Sequence, residues 1–474
     1  MRFWPVGVLV VCCWACGDDA SEPSPGKDAG EEDSGTPEAD AGVDAQVPDP
    51  DPELEQTQWR PLFDATLSEW YKFLPSLGRD NDPAGVFRME GSDVLHVLGN
   101  PPPAGDQEFG YVATRSEYGT YRFQVDQRWG TQKFAPRADS VRDSGLLYHM
   151  HGIDAVWPQC MEFQVQENDI GDLFLLGDVG ATTPVDPMNE NQFKEGGKPR
   201  VLRGGAIKKG ATYESLTDWN ALELFASERE FMHTVNRKVN HRGWAMEYGT
   251  GGGNWAPLDR GRILLQAEGA EVFYRSARIR PLAYPAPPSG AVVLFDGTSL
   301  DAWEHADQSA PRWKIVDGAL EIEPGSGDLF TREQLQDIRL HFEFRLPVTA
   351  EPAHSRAYLA SRYAVQLTDS YGQPLSAASS GGVGGAPPID EALPAEVWQS
   401  VDVVFRNMRW DNEHKVKTKN ARITVVYNGS QLYYQHELQN RTSGGFEEFG
   451  GSTGLRLADE NFRVRFRNIW FQPL

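Results

Sequence analysis

Thiols are nearly absent from the body of this 474-residue sequence. Of four cysteines, Cys12, Cys13 and Cys16 crowd the N-terminus and Cys160 stands alone. One thiol in a folded region excludes an intramolecular disulfide framework, and neither the cluster nor the lone residue has zinc-site spacing. Basic charge is scarce too. Forty-five Lys and Arg face 68 Asp and Glu, a formal charge of −23. That balance excludes nucleic acid or an anionic lipid surface as the main partner, because nothing would neutralise the phosphates. No apolar run reaches the roughly 18 residues of a membrane-spanning helix. A Gly-x-Ser-x-Gly elbow and a His-Glu-x-x-His helix are missing. The glycine-rich runs at 249–253 and 381–385 lack both the Gly-Lys-Ser/Thr ending and the βαβ setting of a phosphate loop.

What is present begins with an address. Arg2 is followed by a short apolar stretch to Trp14 and then Ala15-Cys16-Gly17, the order of an exported leader. The cysteine after Ala15 resembles a bacterial lipoprotein box, with Cys13 where such boxes usually carry Leu. This implies a signal peptide over 1–16 and acylation of Cys16. Residues 17–57 hold fourteen acids, one lysine and no aromatic residue. Like charge with little apolar surface cannot offset the entropy of ordering, so a disordered acidic linker is expected there. The expected setting is the bacterial cell envelope, with the membrane reached through the lipid anchor only.

The remainder repeats itself. Leu62-Phe63-Asp64 with Trp70 recurs as Leu294-Phe295-Asp296 with Trp303, and Met161-Glu162-Phe163-Gln164 recurs as Tyr363-Ala364-Val365-Gln366. Trp219 pairs with Trp398, and Arg280-Pro281-Leu282 closes the first copy as Gln472-Pro473-Leu474 closes the second. Domains are expected over 58–284 and 289–474, joined by the proline-rich stretch 284–288. Within each copy the apolar period is two: Tyr121, Phe123 and Val125 alternate with Arg122, Gln124 and Asp126. Short alternating runs between Gly, Pro, Asn and Asp clusters predict an all-β fold, two jelly-roll β-sandwich domains in tandem. Trp70, Trp219, Trp303 and Trp398 are expected in the cores.

Several segments together resemble the 3-keto-disaccharide hydrolase domain family. They are the opening Phe-Asp with its tryptophan, Asp143-Ser144-Gly145-Leu146, Glu162-Phe163-Gln164-Val165-Gln166-Glu167 and Gly171-Asp172. Asp218-Trp219-Asn220, Gln266-Ala267-Glu268-Gly269 and Phe466-Arg467-Asn468-Ile469-Trp470 complete the set. The resemblance covers nearly all of 58–474. It implies a concanavalin A-like lectin/glucanase sandwich acting on glycosides oxidised to a ketone at C3. The family's Asn-Ser-Gly is Asp143-Ser144-Gly145 in the first copy and His354-Ser355-Arg356 in the second. Its Glu-Val-Gln is Glu162-Phe163-Gln164 in the first and Ala364-Val365-Gln366 in the second. The first copy is therefore expected to be active and the second degenerate.

A ketone at C3 acidifies the C2 hydrogen and places the C1 substituent β to the carbonyl. Removal of the C2 proton can then expel that substituent, and addition of water completes a hydrolysis. Such chemistry needs a base near neutral pKa, a donor for the enolate oxygen and groups that read hydroxyls. On a strand, Glu162, Gln164 and Gln166 share one face. Glu162 is the candidate catalytic group, and Gln164, Gln166, Gln266, Glu268, Asp143 and the aromatic Trp157 are candidate substrate contacts. His149 and His151, two apart, are expected to point the same way and are further base candidates. No cofactor is assigned, and a divalent cation held by Asp169 and Asp172 with His149 is a candidate. The expected partner is an oxidised disaccharide or glycoside, met by a monomer. Two rivals stand beside the enzyme: a non-catalytic surface glycan-binding lipoprotein, and a purely structural or adhesive one.

Overall fold

The computed structural model describes residues 50–99, 106–451 and 453–474. The leader, Cys16 and the linker to residue 49 lie outside the described residues. Every element in the described chain is a β-strand, and every strand pairing is antiparallel.

In the first copy one sheet runs Phe87–Glu90, Val94–Val97, Ala270–Pro281, Tyr121–Lys133, Asn220–Ser227, Glu230–Val235. The facing sheet runs Trp70–Leu74, Gly110–Thr114, Arg262–Ala267, Asp143–His151, Gln159–Gln166, Leu173–Asp186. The long strand Lys238–Gly251 pairs with Glu230–Val235 in one sheet and Leu173–Asp186 in the other, closing that edge. Alternation decides what lies between the sheets. Phe123 and Val125 from one meet Leu146, Phe163 and Val165 from the other in a single core. The second copy repeats the plan with its own core. Its large sheet contains Arg465–Pro473, Ile338–Arg345, Gln399–Arg406 and Ala421–Tyr427. Its small sheet contains Trp303–Glu304, Leu329–Thr331, Arg456–Leu457, His354–Leu359 and Tyr363–Thr368. The expected tandem of jelly-roll sandwiches is what the chain forms.

The repeat extends to single hydrogen bonds. Trp70 Nε1 donates to the Leu62 carbonyl at 2.7 Å, and Trp303 Nε1 to that of Leu294 at 2.8 Å. Ser144 Oγ donates to the Gln266 carbonyl at 2.8 Å, and Ser355 Oγ to that of Ala458 at 2.8 Å. Trp70 and Trp303 are buried as expected. Trp398 is buried as well, whereas Trp219 is only partly buried. Each lies under two guanidinium groups, Arg128 and Arg275 over Trp219, Arg345 and Arg467 over Trp398. Indole faces attract cations, so sequence position alone could not separate this setting from burial.

Residues 51–474 form one compact unit. Phe225, Met232, Tyr371, Leu393 and Val397 make an apolar seam between the two copies. Ion pairs flank it: Arg237 with Asp390 at 2.5 Å, Arg280 with Glu391 at 3.0 Å and Arg467 with Glu228 at 2.8 Å. The held chain starts earlier than composition suggests. Asp51 pairs with Arg406 at 3.3 Å and accepts from Thr424 Oγ1 at 2.7 Å. Leu54 is buried against Val404 and Val426, and Thr57 N donates to the Gly429 carbonyl at 3.0 Å. Residues 51–57, read from composition as the end of the linker, thus form a strap across the second sandwich. One leucine and one paired aspartate suffice to seat it.

Candidate functional site

Strand register assembles the polar groups. Gly145 lies opposite Gln164, Leu147 opposite Glu162 and Asp143 opposite Gln166. The next strand sets Leu264 beside Leu147, and beyond it Gln266 lies opposite Tyr111. Phe163 and Val165 enter the core, so Glu162, Gln164 and Gln166 take the opposite face, as the alternation predicts. Gly145 is the gap in this face. A Cβ there would lie 2.1 Å from Gln266 Oε1 and 2.5 Å from Glu162 Oε1. The carboxyl and the amide therefore lean toward each other over the glycine. Glu162, Gln164, Asp143, Gln266 and Glu268 are all buried, which makes the face a recess.

One guanidinium ties the acids together. Arg137 reaches Asp143 Oδ2 at 2.5 Å and Glu268 Oε1 at 2.8 Å. Gln166 Nε2 donates to Asp143 Oδ2 at 2.6 Å. Burial pushes the Asp143 carboxyl up to about 6 against the pull of Arg137. Burial and then the Asp143 charge push Glu268 up to about 7, again opposed by Arg137. Glu162 is raised well above the usual carboxylate range, by burial first and then by the charges of Glu268 and Asp143. Two of these acids, Asp143 and Glu268, thus share one cation. Burial thus favours the protonated form of Glu162, while Asp143 and Glu268 are raised to about 6 and about 7. The Gln266 Oε1 acceptor is buried without a donor, and turning that amide would present Nε2 to Glu162.

The histidines do not join this group. A bulge between Tyr148 and His151 breaks the two-residue period, with His149 at φ 51°. His149 is buried between Tyr121 and Tyr148, at ring distances of 5.8 and 5.7 Å. Burial lowers its pKa to about 4, which keeps the ring neutral. His151 is exposed, its ring tilted against that of Tyr248 at 4.1 Å. Their expected common direction is corrected by the bulge. The candidate metal set also fails to assemble. Asp169 and Asp172 both pair with Lys208, at 2.9 and 2.8 Å, and Asp172 accepts from Lys209 N. Among the described residues no group of three or more His, Cys, Asp or Glu could hold a metal ion. Cys160 is buried, its Sγ 3.3 Å from the Pro158 carbonyl.

Trp157 is half exposed beside the recess, 6.4 Å from the ring of Phe109. Sequence reasoning missed Arg137, which reaches the site from a loop, and Asp154, which accepts from Tyr71 at 2.7 Å and Tyr111 at 2.8 Å. No local pattern signals either contact.

The second copy has the same floor with different furniture. Arg356 stands at the Gly145 position, opposite Gln366. Its guanidinium donates to Gln366 Oε1 at 3.2 Å and Glu460 Oε1 at 2.7 Å. Ala364 replaces Glu162 and is buried with Tyr358 and Ala458. The loop after 440 lies over this face. Tyr358 and Arg456 both donate to its carbonyls, those of Ser443 and Gly444.

A family model described as the 3-keto-alpha-glucoside-1,2-lyase-like domain matches residues 58–280 and again 290–472. Among solved structures, a protein provisionally described as a glycosyl hydrolase from Parabacteroides distasonis ATCC 8503 is 25% identical, with TM-score 0.37. The match covers 40% of this chain and 94% of that one. A β-glucanase of Bacillus licheniformis is 9% identical over 48% of this chain and 99% of its own, with TM-score 0.28. The carbohydrate-binding module CBM66 of Bacillus subtilis is 9% identical over 47% and 94%, with TM-score 0.23. The comparison with curated proteins finds no match.

Proposed function

The chain belongs to the 3-keto-alpha-glucoside-1,2-lyase-like domain family, in two copies, and from that premise we propose that its first copy cleaves 3-keto-glycosides by elimination across C1 and C2. The observation that carries the reading is Arg137 bridging Asp143 at 2.5 Å and Glu268 at 2.8 Å on the face that holds the buried Glu162, where burial raises all three carboxyls. An ionised member of the Asp143–Glu268 pair takes the C2 proton, and the C–H electrons pass to the C3 oxygen. Arg137 or the Glu162 hydroxyl donates to that enolate oxygen. The carbonyl then re-forms, a C1=C2 double bond forms and the C1–O bond breaks. The departing oxygen takes the Glu162 proton. Addition of water to the alkene turns the same sequence into net hydrolysis. Gln164, Gln166 and Gln266 supply amides for sugar hydroxyls on the same face.

Restriction of turnover to the first copy is part of the proposal, supported by Ala364 and Arg356 at the Glu162 and Gly145 positions. So is attachment to the bacterial envelope through Cys16, supported by the Ala15-Cys16-Gly17 sequence and the acidic run behind it. The test incubates the protein with a chromogenic 3-keto-glucoside and with its unoxidised parent, each with and without chelator. Turnover of the keto sugar alone, unaffected by chelator, is expected. Binding of either sugar without turnover would favour the glycan-binding protein instead.

A further inference from the structure

We propose that Trp157 and Phe109 form a stacking subsite for the leaving-group ring, and that Asp154 is the residue that positions it. The inference rests on the elimination reading and adds a substrate class: glycosides whose C1 substituent is itself a ring, a second sugar or an aryl group.

Three observations converge. Gly110 pairs with Ala267, which sets Phe109, one residue earlier, alongside Glu268 at the edge of the recess. Trp157 approaches Phe109 edge-on at 6.4 Å and is 54% exposed, leaving its indole open next to the acids. Trp157 belongs to the loop between the Asp143 and Glu162 strands, and that loop is pinned at Asp154. The pin is unusually complete for a surface turn. Tyr71 and Tyr111 both donate to Asp154 Oδ1, and Arg79 Nε reaches Oδ2 at 2.5 Å. Those hydrogen bonds lower the Asp154 pKa, although partial burial opposes them. Tyr111 is also the cross-strand neighbour of Gln266. The platform is therefore fastened to the strand next to the one that carries Gln266. A stack of this kind holds the sugar's C–H face, while the proposed reaction at C1 and C2 proceeds beside it.

The experiment compares two substrates on the full chain, a methyl 3-keto-glucoside and a 3-keto-disaccharide. Trp157→Ala should raise KM for the disaccharide about tenfold and that for the methyl glycoside, which lacks the second ring, far less. Trp157→Phe should restore most of the loss. Asp154→Asn, which weakens the pin without touching substrate, should reproduce the KM rise with kcat on the methyl glycoside intact. Equal effects on the two substrates, or none on either, would overturn the subsite. Should the parent protein turn over neither substrate, the elimination reading fails instead. The subsite is then read from disaccharide quenching of tryptophan fluorescence. Quenching lost in Trp157→Phe upholds it, and quenching retained or absent overturns it.

Discussion

Gly145→Ala is the smallest change that asks whether the recess is the working part. The added Cβ would sit 2.1 Å from Gln266 Oε1, 2.5 Å from Glu162 Oε1 and 2.7 Å from Leu147 Cδ1. Such contacts relax to at least about 3.2 Å, so the amide must retreat by about 1 Å and the carboxyl by somewhat less. The backbone there is not in the left-handed region, so alanine brings no strain of its own. Displacing reacting groups by about 1 Å costs about 10²-fold in rate, about 2.7 kcal/mol of barrier. Crowding of the buried methyl adds a stability loss of about 1–3 kcal/mol. The assay is kcat/KM on a chromogenic 3-keto-glucoside, with a thermal melt to show that the variant remains folded. Gly145→Arg, which copies the second sandwich, should abolish turnover. A folded Gly145→Ala variant within twofold of the parent would refute the reasoning, because the two oxygens would then not need their present positions.

Glu162→Gln should lower turnover by about 10²–10⁴-fold with little change in melting temperature, since burial already disfavours the charged carboxylate; retention of activity would remove Glu162 from the mechanism. Because Ala364 cannot replace it, the whole chain should fall to background rather than to half. The pH profile of kcat/KM should rise through about 6 to 7 as Asp143 and Glu268 ionise, and Glu268→Gln should displace that limb; a flat profile would argue against a carboxylate base. His341, buried between Asp402 at 3.1 Å and Glu343 at 3.6 Å, has its pKa raised to about 9 by those partners although burial opposes them. Its folded value lies above the unfolded one, so the stabilisation, on the order of 3 kcal/mol, is complete below about pH 6.5 and lost as pH rises through about 9. Melting between pH 6 and 9.5 measures this, and His341→Gln should flatten the curve. Cys16→Ser should move the protein from the membrane fraction to the soluble one; an equal membrane fraction would mean another anchor.

The sheets were legible in the sequence because alternation is local: Tyr121, Phe123 and Val125 need only their own strand to declare a face. Glu162, Gln164 and Gln166 were legible for the same reason. The histidines were not, because a single bulge residue reverses direction and no composition rule marks His149 as its site. Arg137 and Asp154 were invisible for a different reason. Each acts through partners far away in the chain, Glu268 for one and Tyr71 for the other, and loops carry no period from which a meeting point can be read. Trp219 shows the third limit. A tryptophan repeated in two copies marks a shared environment, but arginine pairs supply that environment as well as a core does.

The strap at residues 51–57 also decides how the molecule bears force. A pull on the chain before Asp51 is met first by Arg406 and by the seat of Leu54, both interactions with the second sandwich. The first sandwich is met at Thr57, whose Oγ1 accepts from Arg280 Nε at 2.9 Å, then at Trp59, lying under Arg122 and Arg278, and at the short strand at Arg60. Drag on a tethered body would thus load the copy that lacks the glutamate, and its shear would be spent on the strap. The recess around Gly145, where about an ångström matters, stays out of the load path.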